Sequence, residues 1–387
     1  MSTRAILHMD LDTFFVSVER LLDSRLNDRP VILGGTSDRG VVASCSYEAR
    51  RYGVHSGMPI KMARRLCPEG TYIRGNMSNY SKYSDMVTDI ITERAPLVEK
   101  ASIDEFYADL TGIDKYFGIW KFSGELRQRI IKETGLPISF GLSANKIVSK
   151  IATGEAKPNN QIQVSTGTER PFLAPLSVKK IPGVGTKTFR MLSTMGIRQV
   201  HTLQEMPQEM MFSAFGKHGR TIWQRANALD DPPVIPYSER KSISTEHTFT
   251  TDTMDVKGLH TLLRRMVEKL AYSLRSKGKL TANVAVKIRY ADFQTYTKQK
   301  KIPYTSADHV LMPIVMTLFD QLFQRRMRIR LIGVRFSSLT HGHYQIDLFE
   351  DTEKLIRLYQ TMDALKDKFG ASIIRRASTL GPTFHRF

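Results

Sequence analysis

Two carboxylates stand side by side in the stretch Glu99–Leu110: Asp104 and Glu105, among the apolar residues Ile103, Phe106, Tyr107 and Leu110. Strand-forming residues between Pro96 and Thr111-Gly112 predict a short β-strand there. Neighbouring strand residues point to opposite faces, so one acid is driven inward, where a cation or hydrogen-bond donors must compensate it. A strand end at which both acids reach water is the plainer outcome. A second pair, Asp10 and Asp12, ends the strand-like run Ala5–Met9 and precedes helical spacing with Phe14, Val18 and Leu21 on one face. Thr13 and Asp12 are residue types that cap such a helix. Two acid-bearing strand ends, if the fold joins them, suit a divalent-metal site, because Mg²⁺ takes carboxylate and carbonyl oxygens. Two such ions about 3.5–4 Å apart can activate an attacking oxygen and stabilise a leaving one at phosphorus.

The surrounding elements must position these acids. Arg29–Gly35 reads as a strand ending in a glycine turn, and Asp38–Ser46 as turn and strand. Tyr47–Tyr52 turns helical and carries Arg50 and Arg51. A guanidinium there could grip a triphosphate through paired hydrogen bonds, with Ser44 and Tyr47 as neutral donors; a solvated helix face explains the same residues. Helices are predicted over 76–94 and 120–134 and a strand over Ile138–Leu142. The basic, partly helical run Asn145–Lys157 is closed by Pro158.

Four segments, Met9–Phe15 (MDLDTFF), Ser46–Arg50 (SYEAR), Ser102–Glu105 (SIDE) and Ala156–Asn159 (AKPN), occur in the order of the motifs of Y-family DNA polymerases. The chain resembles that family from about residue 5 to 340, most closely its bacterial DNA polymerase IV branch. The resemblance implies an α+β, multidomain right hand: palm (1–10 and 76–165), fingers (11–75), helix-hairpin-helix thumb (166–230), linker (231–240), little finger (241–340) and tail (341–387). It implies a template-directed DNA polymerase of the translesion type, of low fidelity and without a proofreading exonuclease. Asp10 and Asp104 would ligate two Mg²⁺ ions, joined by the Leu11 carbonyl on the nucleotide side and by Glu105 at the ion activating the primer 3′-hydroxyl. Asp12 matches a motif position that is not a ligand in relatives, so capping or local charge is expected of it. Phe15 matches the sugar gate, a flat ring that leaves no room for a 2′-hydroxyl, and Phe14 is assigned to packing. Tyr47, Arg50 and Lys157 match triphosphate contacts. Phe106 and Asn160 depart from the usual pattern, where relatives often carry a smaller residue and a glycine, and leave lesion preference and nucleotide selectivity open.

The net charge of +19 over 387 residues argues for a polyanionic partner. Residues 237–339 hold 19 Lys/Arg against 8 Asp/Glu, well over half of the surplus. Within them Lys287 and Arg289 alternate onto one strand face, and Lys298–Lys301 and Arg330–Phe336, with Arg335, add basic strand-like pieces between helices predicted over 256–276 and 308–324. A basic sheet face gripping a DNA backbone is expected, and it resembles the family's little finger. Upstream, Ile181-Pro182-Gly183-Val184-Gly185 followed by Lys187 reads as a helix-hairpin-helix presenting backbone amides to a DNA phosphate. Ala214–Arg220 is a degenerate echo of it. The prolines of Asp231–Pro236 predict an extended linker.

Gln345-Ile346-Asp347-Leu348-Phe349 resembles the pentapeptide that docks bacterial polymerases on the sliding clamp, with Gln345, Leu348 and Phe349 as contacts; a plain strand explains the same letters. An amphipathic helix is predicted over Glu353–Phe369, near the basic pair Arg375-Arg376. The chain has no apolar run long enough to span a membrane and no signal-peptide pattern, so a soluble, cytoplasmic protein is expected; it is taken to be a monomer. Cys45 and Cys67 lack metal-like spacing. Two rivals use subsets of these residues. A two-metal nuclease would need Asp10, Asp104 and Glu105 but not Phe15, Tyr47, Arg50 and Lys157; a non-catalytic DNA- and clamp-binding protein would not need the acids.

Overall fold

Strict alternation along the first strand sets the architecture around the acids. The computed structural model describes residues 4–35, 37–113, 118–342, 352–370 and 373–379, in two units, Met1–Ser238 and Glu239–Phe387. The first runs β1 (Ile6–Leu11), α1 (Phe14–Leu22), β2 (Val31–Gly34), β3 (Val42–Cys45), α2 (Tyr47–Arg51), α3 (Ile60–Leu66), β4 (Thr71–Ile73), α4 (Met77–Arg94), β5 (Leu97–Lys100), β6 (Glu105–Asp109), α5 (Ile119–Thr134), β7 (Ile138–Ser143), α6 (Lys146–Ala156), β8 (Gln161–Gln163), α7 (Glu169–Leu173), α8 (Thr186–Thr194), α9 (Val200–Glu205) and α10 (Gln208–Ala226).

The main sheet has the order β5-β6-β1-β7-β8. Its β1 is flanked by antiparallel β6 and β7. Leu7, Met9 and Leu11 of β1 share a core with Tyr80, Val87 and Ile91 of α4 and Leu126 and Ile130 of α5. His8 and Asp10 point the other way, toward α6, where His8 meets Thr153 and Asp10 meets Lys157. That helix lies close on the sheet because β7 carries glycine at 141: a Cβ there would fall 2.2 Å from the Ser149 carbonyl oxygen. A second sheet, β3-β2-β4, has its own small core of Ile32, Val42, Ala49 and Met58. Helices α7 to α10 gather around Leu173, Leu192, Leu203, Met211 and Ile222.

Two expectations change here. Glu99–Leu110 is a hairpin rather than one strand: β5 ends at Lys100 and β6 starts at Glu105. The Ser102 hydroxyl accepts the amides of Asp104 and Glu105, at 3.2 and 3.0 Å, and so favours a turn over continued pairing. The acids therefore stand at a hairpin tip. The proline-rich segment from Asp231 is likewise not free along its first half. Arg4 donates to the carbonyl of Pro232, Val234 is buried with Ile6 and Tyr107, and the Ile235 amide donates to Glu99. Its prolines hold the chain extended, and that extended strap lies on the first unit.

The second unit runs β9 (Ser242–Thr253), α11 (Val256–Arg275), β10 (Lys279–Tyr290), β11 (Thr295–Thr305), α12 (Asp308–Leu322), β12 (Ile329–His341) and α13 (Thr352–Phe369). Its sheet, ordered β11-β10-β12-β9, is antiparallel throughout. Val284, Val286 and Ile288 of β10 face Leu263, Val267 and Leu270 of α11 and Val315 and Phe319 of α12, which leaves the opposite face open. Helix α13 is fastened by Arg275, whose guanidinium reaches Asp308 and Asp363, each at 2.6 Å, and stacks over Tyr359. Gln345, Leu348 and Phe349 lie outside the described residues.

Candidate active site

The strand register brings the remote acids together. Asp10 of β1 is paired across the sheet with Glu105 of β6, and the Leu11 amide donates to the Asp104 carbonyl at 3.0 Å. The tip is held from behind, where the Ser84 hydroxyl of α4 donates to the Ile103 carbonyl at 2.5 Å. At its front the Ser102 hydroxyl donates to the Asp104 carboxylate at 2.6 Å. Phe106 pairs with Met9 and is wholly buried in the core, so this departure from the family pattern turns away from the acids.

Helix α6 and its C-terminal end lay a stripe of cations across that acidic face. Lys146, Lys150 and Lys157 sit at positions i, i+4 and i+11, which share one side of a helix. Lys146 reaches Glu99 at 2.7 Å, Lys150 reaches both Glu105 oxygens at 2.6 Å, and Lys157 reaches Asp10 at 2.5 Å. Burial pushes the Asp10 carboxyl up to about 6, against the pull of Lys157, and the charges of Asp104 and Glu105 add to the rise. Sequence reasoning missed Lys146 and Lys150, although their spacing was there to read.

The donor set fits hard divalent ions. It is all oxygen, it gathers three carboxylates, and its buried member resists ionisation until more positive charge arrives. With lysines engaging Asp10 and Glu105, no three His, Cys, Asp or Glu side chains among the described residues already stand in ligating geometry. Binding an ion would require these ammonium groups to yield the carboxylate oxygens.

Asp12 does something other than cap α1. Thr13 is the N-cap and makes no side-chain capping bond. The buried Asp12 carboxylate instead accepts the Ser139 hydroxyl at 2.9 Å and the Asn159 amide at 2.5 Å, and Lys157 lies 3.6 Å away. Arg127, buried on α5, donates at 2.6 Å to both the carbonyl and the side-chain oxygen of Asn159. Asp12 and Arg127 thus pin the Lys157-Pro158-Asn159 turn, and with it the lysine beside Asp10.

Phe15, half-buried on α1, stacks on Tyr80 of α4 with ring centroids 4.3 Å apart and planes 16° from parallel. Tyr80 is buried, and its hydroxyl donates to Glu19, one turn beyond Phe15 on the same helix. Phe14 is core. On α2 the Tyr47 hydroxyl is buried without a hydrogen-bond partner. Burial pushes it up to about 12, and Asp12 and Asp10 push the same way. The exposed Arg50 places its guanidinium 4.9 Å from the Tyr47 ring centroid, and Ser44 is nearly buried on β3.

The impB/mucB/samB family model matches residues 9–154, and that family's C-terminal domain matches 240–348. The DNA polymerase IV of Dehalococcoides mccartyi is 38% identical over 98% of both chains. That of Desulfatibacillum aliphaticivorans is 34% identical over 98% of this chain and 97% of its own. The chain belongs to the Y family of DNA polymerases. A solved Y-family chimera, Dbh-Dpo4(243-245)-Dbh, superposes with a TM-score of 0.80 at 25% identity, covering 87% of this chain and all of its own. The α+β right-hand architecture of the polymerase, with its C-terminal little finger, follows from that match.

The residues expected to hold DNA belong to other elements than the acids. In the first unit Gly183 takes φ +97°, which only glycine adopts without strain, and Gly185 caps α8 with the exposed Lys187 in its first turn. Gly216 breaks α10 with φ 59° and ψ −145°, and Gly219 packs on the Met211 carbonyl, so the echoed motif is a second helix break. In the second unit Lys287, Arg289 and Arg335 share the open sheet face by register, since Arg335 pairs with Ala285. Lys298 and Lys300 pair with Val286 and Val284 and so fall on the helix side.

Proposed function

We propose that this DNA-directed DNA polymerase of the translesion type extends a primer 3′ end against a template by two-metal phosphoryl transfer. The observation that carries this reading is the pairing of Asp10 with Glu105, with Asp104 at the same hairpin tip. The family is metal-dependent; Asp10, Asp104, Glu105 and the Leu11 carbonyl would hold two Mg²⁺ ions, which supply activation of the primer hydroxyl and charge neutralisation at phosphorus. Tyr47, Arg50, Ser44 and Lys157 grip the triphosphate. Phe15, backed by Tyr80, excludes a 2′-hydroxyl by contact. Catalysis is then mostly positioning and electrostatic stabilisation.

The domain limits proposed are palm 1–10 and 76–165, fingers 11–75, thumb 166–230 and little finger 241–340. Gly183, Gly185 and Lys187 hold the DNA backbone from the thumb, and Lys287, Arg289 and Arg335 from the little finger. Among the described residues no helix is long and apolar enough to cross a membrane. A cytoplasmic monomer that docks on the sliding clamp through Gln345, Leu348 and Phe349 completes the proposal. Primer extension decides it. Elongation requiring deoxynucleotides and Mg²⁺, and lost in Asp104→Ala, is the expected result; shortened DNA would mean a nuclease, and a shifted but unaltered primer a binder.

A further inference from the structure

The open face of the second unit's sheet contains a trough of about 540 Å³ whose lining includes the hydroxyl and amide side chains of Ser242, Ser244, Thr297, Gln299 and Ser337. Its charged members are Arg335, Lys287 and one carboxylate, Glu246. Glu246 of β9 and Lys287 of β10 are two strands apart, roughly 10 Å across the sheet. They are joined over Gly333 of β12, which pairs with both. No side chain stands between them, and a Cβ at 333 would lie 2.7 Å from Glu246 Cγ. The lysine arm crosses the glycine and its ammonium ends on the Glu246 carboxylate. Both side chains are 39% exposed, so solvent and a polyanion can reach the pair.

We propose that Glu246 is a restraint on DNA grip: it competes with phosphate for Lys287 and so limits how tightly the little finger binds the backbone. This rests on the reading of this face as the DNA grip and goes beyond it. An ion pair this exposed contributes little to stability, whereas a freed lysine at a DNA surface gains a phosphate contact and releases a counterion. The restraint lets the polymerase release its template readily while keeping a lysine of that face beside the duplex.

The test uses the full chain and a primer–template duplex, with affinity followed by fluorescence anisotropy from about 50 to 200 mM salt. Glu246→Gln is expected to bind about tenfold more tightly at low salt, to dissociate more slowly, and to steepen the log–log salt slope by about 0.9. In a Lys287→Ala background the same substitution should give no such gain. Unchanged affinity and slope would overturn the restraint. An equal gain without Lys287 would also overturn it, because simple charge repulsion would then explain everything. The underlying reading is checked separately: if Arg289→Ala and Arg335→Ala leave affinity untouched, this face is not the grip at all.

Discussion

Asp12 offers the sharpest test of how the site is built, because it stands two residues from Asp10 while its carboxylate is engaged by protein donors. Its carboxylate is 1% exposed and accepts two hydrogen bonds, from the Ser139 hydroxyl and the Asn159 amide. Bonds to a charged acceptor are worth about 1.5–3 kcal/mol each, so Asp12→Ala forfeits about 3–6 kcal/mol. Part returns, because Asp12 Oδ1 is buried without a hydrogen-bond partner and its desolvation is relieved. A net loss of about 2–4 kcal/mol is expected, read as a lower denaturant midpoint with an unchanged slope. Asp12→Asn keeps the shape, and because both bonds end on one oxygen, Oδ2, its amide oxygen can accept both; only the charge of the acceptor is lost, so about half that loss is expected. Activity should divide in a diagnostic way. Once the turn loosens, Lys157 no longer has a fixed seat, and the KM for incoming nucleotide rises about tenfold while kcat stays within about threefold. A variant with wild-type midpoint and KM refutes the pinning argument. A collapse of kcat at constant KM would instead put Asp12 among the metal ligands.

Three further outcomes are expected. Phe15→Ala should incorporate ribonucleotides at a rate approaching that for deoxynucleotides, and unaltered sugar discrimination in single-nucleotide insertion would remove Phe15 as the gate. Arg275→Met should cost the second unit about 3–5 kcal/mol, because Asp308 and Asp363 lose their shared guanidinium; protease cleavage within 352–369 at native-like conditions would show α13 released, and resistance equal to wild type would count against the clasp. Asp10, raised from 3.8 to about 6, binds its proton more tightly folded than unfolded, so its contribution to stability in the absence of divalent ions grows as pH falls from above 6 to below 4. The difference is on the order of 3 kcal/mol at most; Asp10→Asn should flatten that part of the profile, and an identical profile would show the carboxyl to be ordinary.

The sequence made the acids, the order of motifs and most long elements legible, because period 2 along β1 and period 3.6 along α4, α5, α11 and α12 are carried by core residues. Helices predicted over 76–94, 256–276 and 308–324 differ from the structure by a residue or two at their ends. What stayed hidden was turn chemistry and side-chain reach. Nothing in the apolar run Ile103–Leu110 reveals that the Ser102 hydroxyl would gather two amides and bend the chain before Glu105. Asp12 looked like a cap because it precedes a helix; its partners Ser139 and Asn159 are more than 120 residues away, and no local pattern announces them. The strap from Asp231 to Ile235 looked like a linker from its prolines, while its anchors, Arg4, Ile6 and Glu99, are far off in sequence. The stripe Lys146, Lys150, Lys157 was readable by spacing, but only the partner strands say that it faces acids and not water.

Both units solve one problem in one way, and this bears on which substitutions will separate activity from stability. A strand has two faces, and in each sheet the same strands that bury one face display chemistry on the other: Leu7, Met9 and Leu11 against Asp10 on β1, Val284, Val286 and Ile288 against Lys287 and Arg289 on β10. Side chains on the displayed face can then be exchanged without opening a cavity, since their neighbours are solvent, cations or substrate rather than packed methyl groups. In the second unit this holds across the trough, whose floor is Gly333 and Ala285. In the first it fails at Asp12, where Ser139 of β7 and the Lys157–Asn159 turn after α6 close the buried end of the row. The two sheets should therefore differ in tolerance. Neutral polar substitutions at Lys287, Arg289 and Arg335 are expected to move DNA affinity with midpoint shifts within about 0.5 kcal/mol, whereas that at Asp12 moves nucleotide KM and midpoint together.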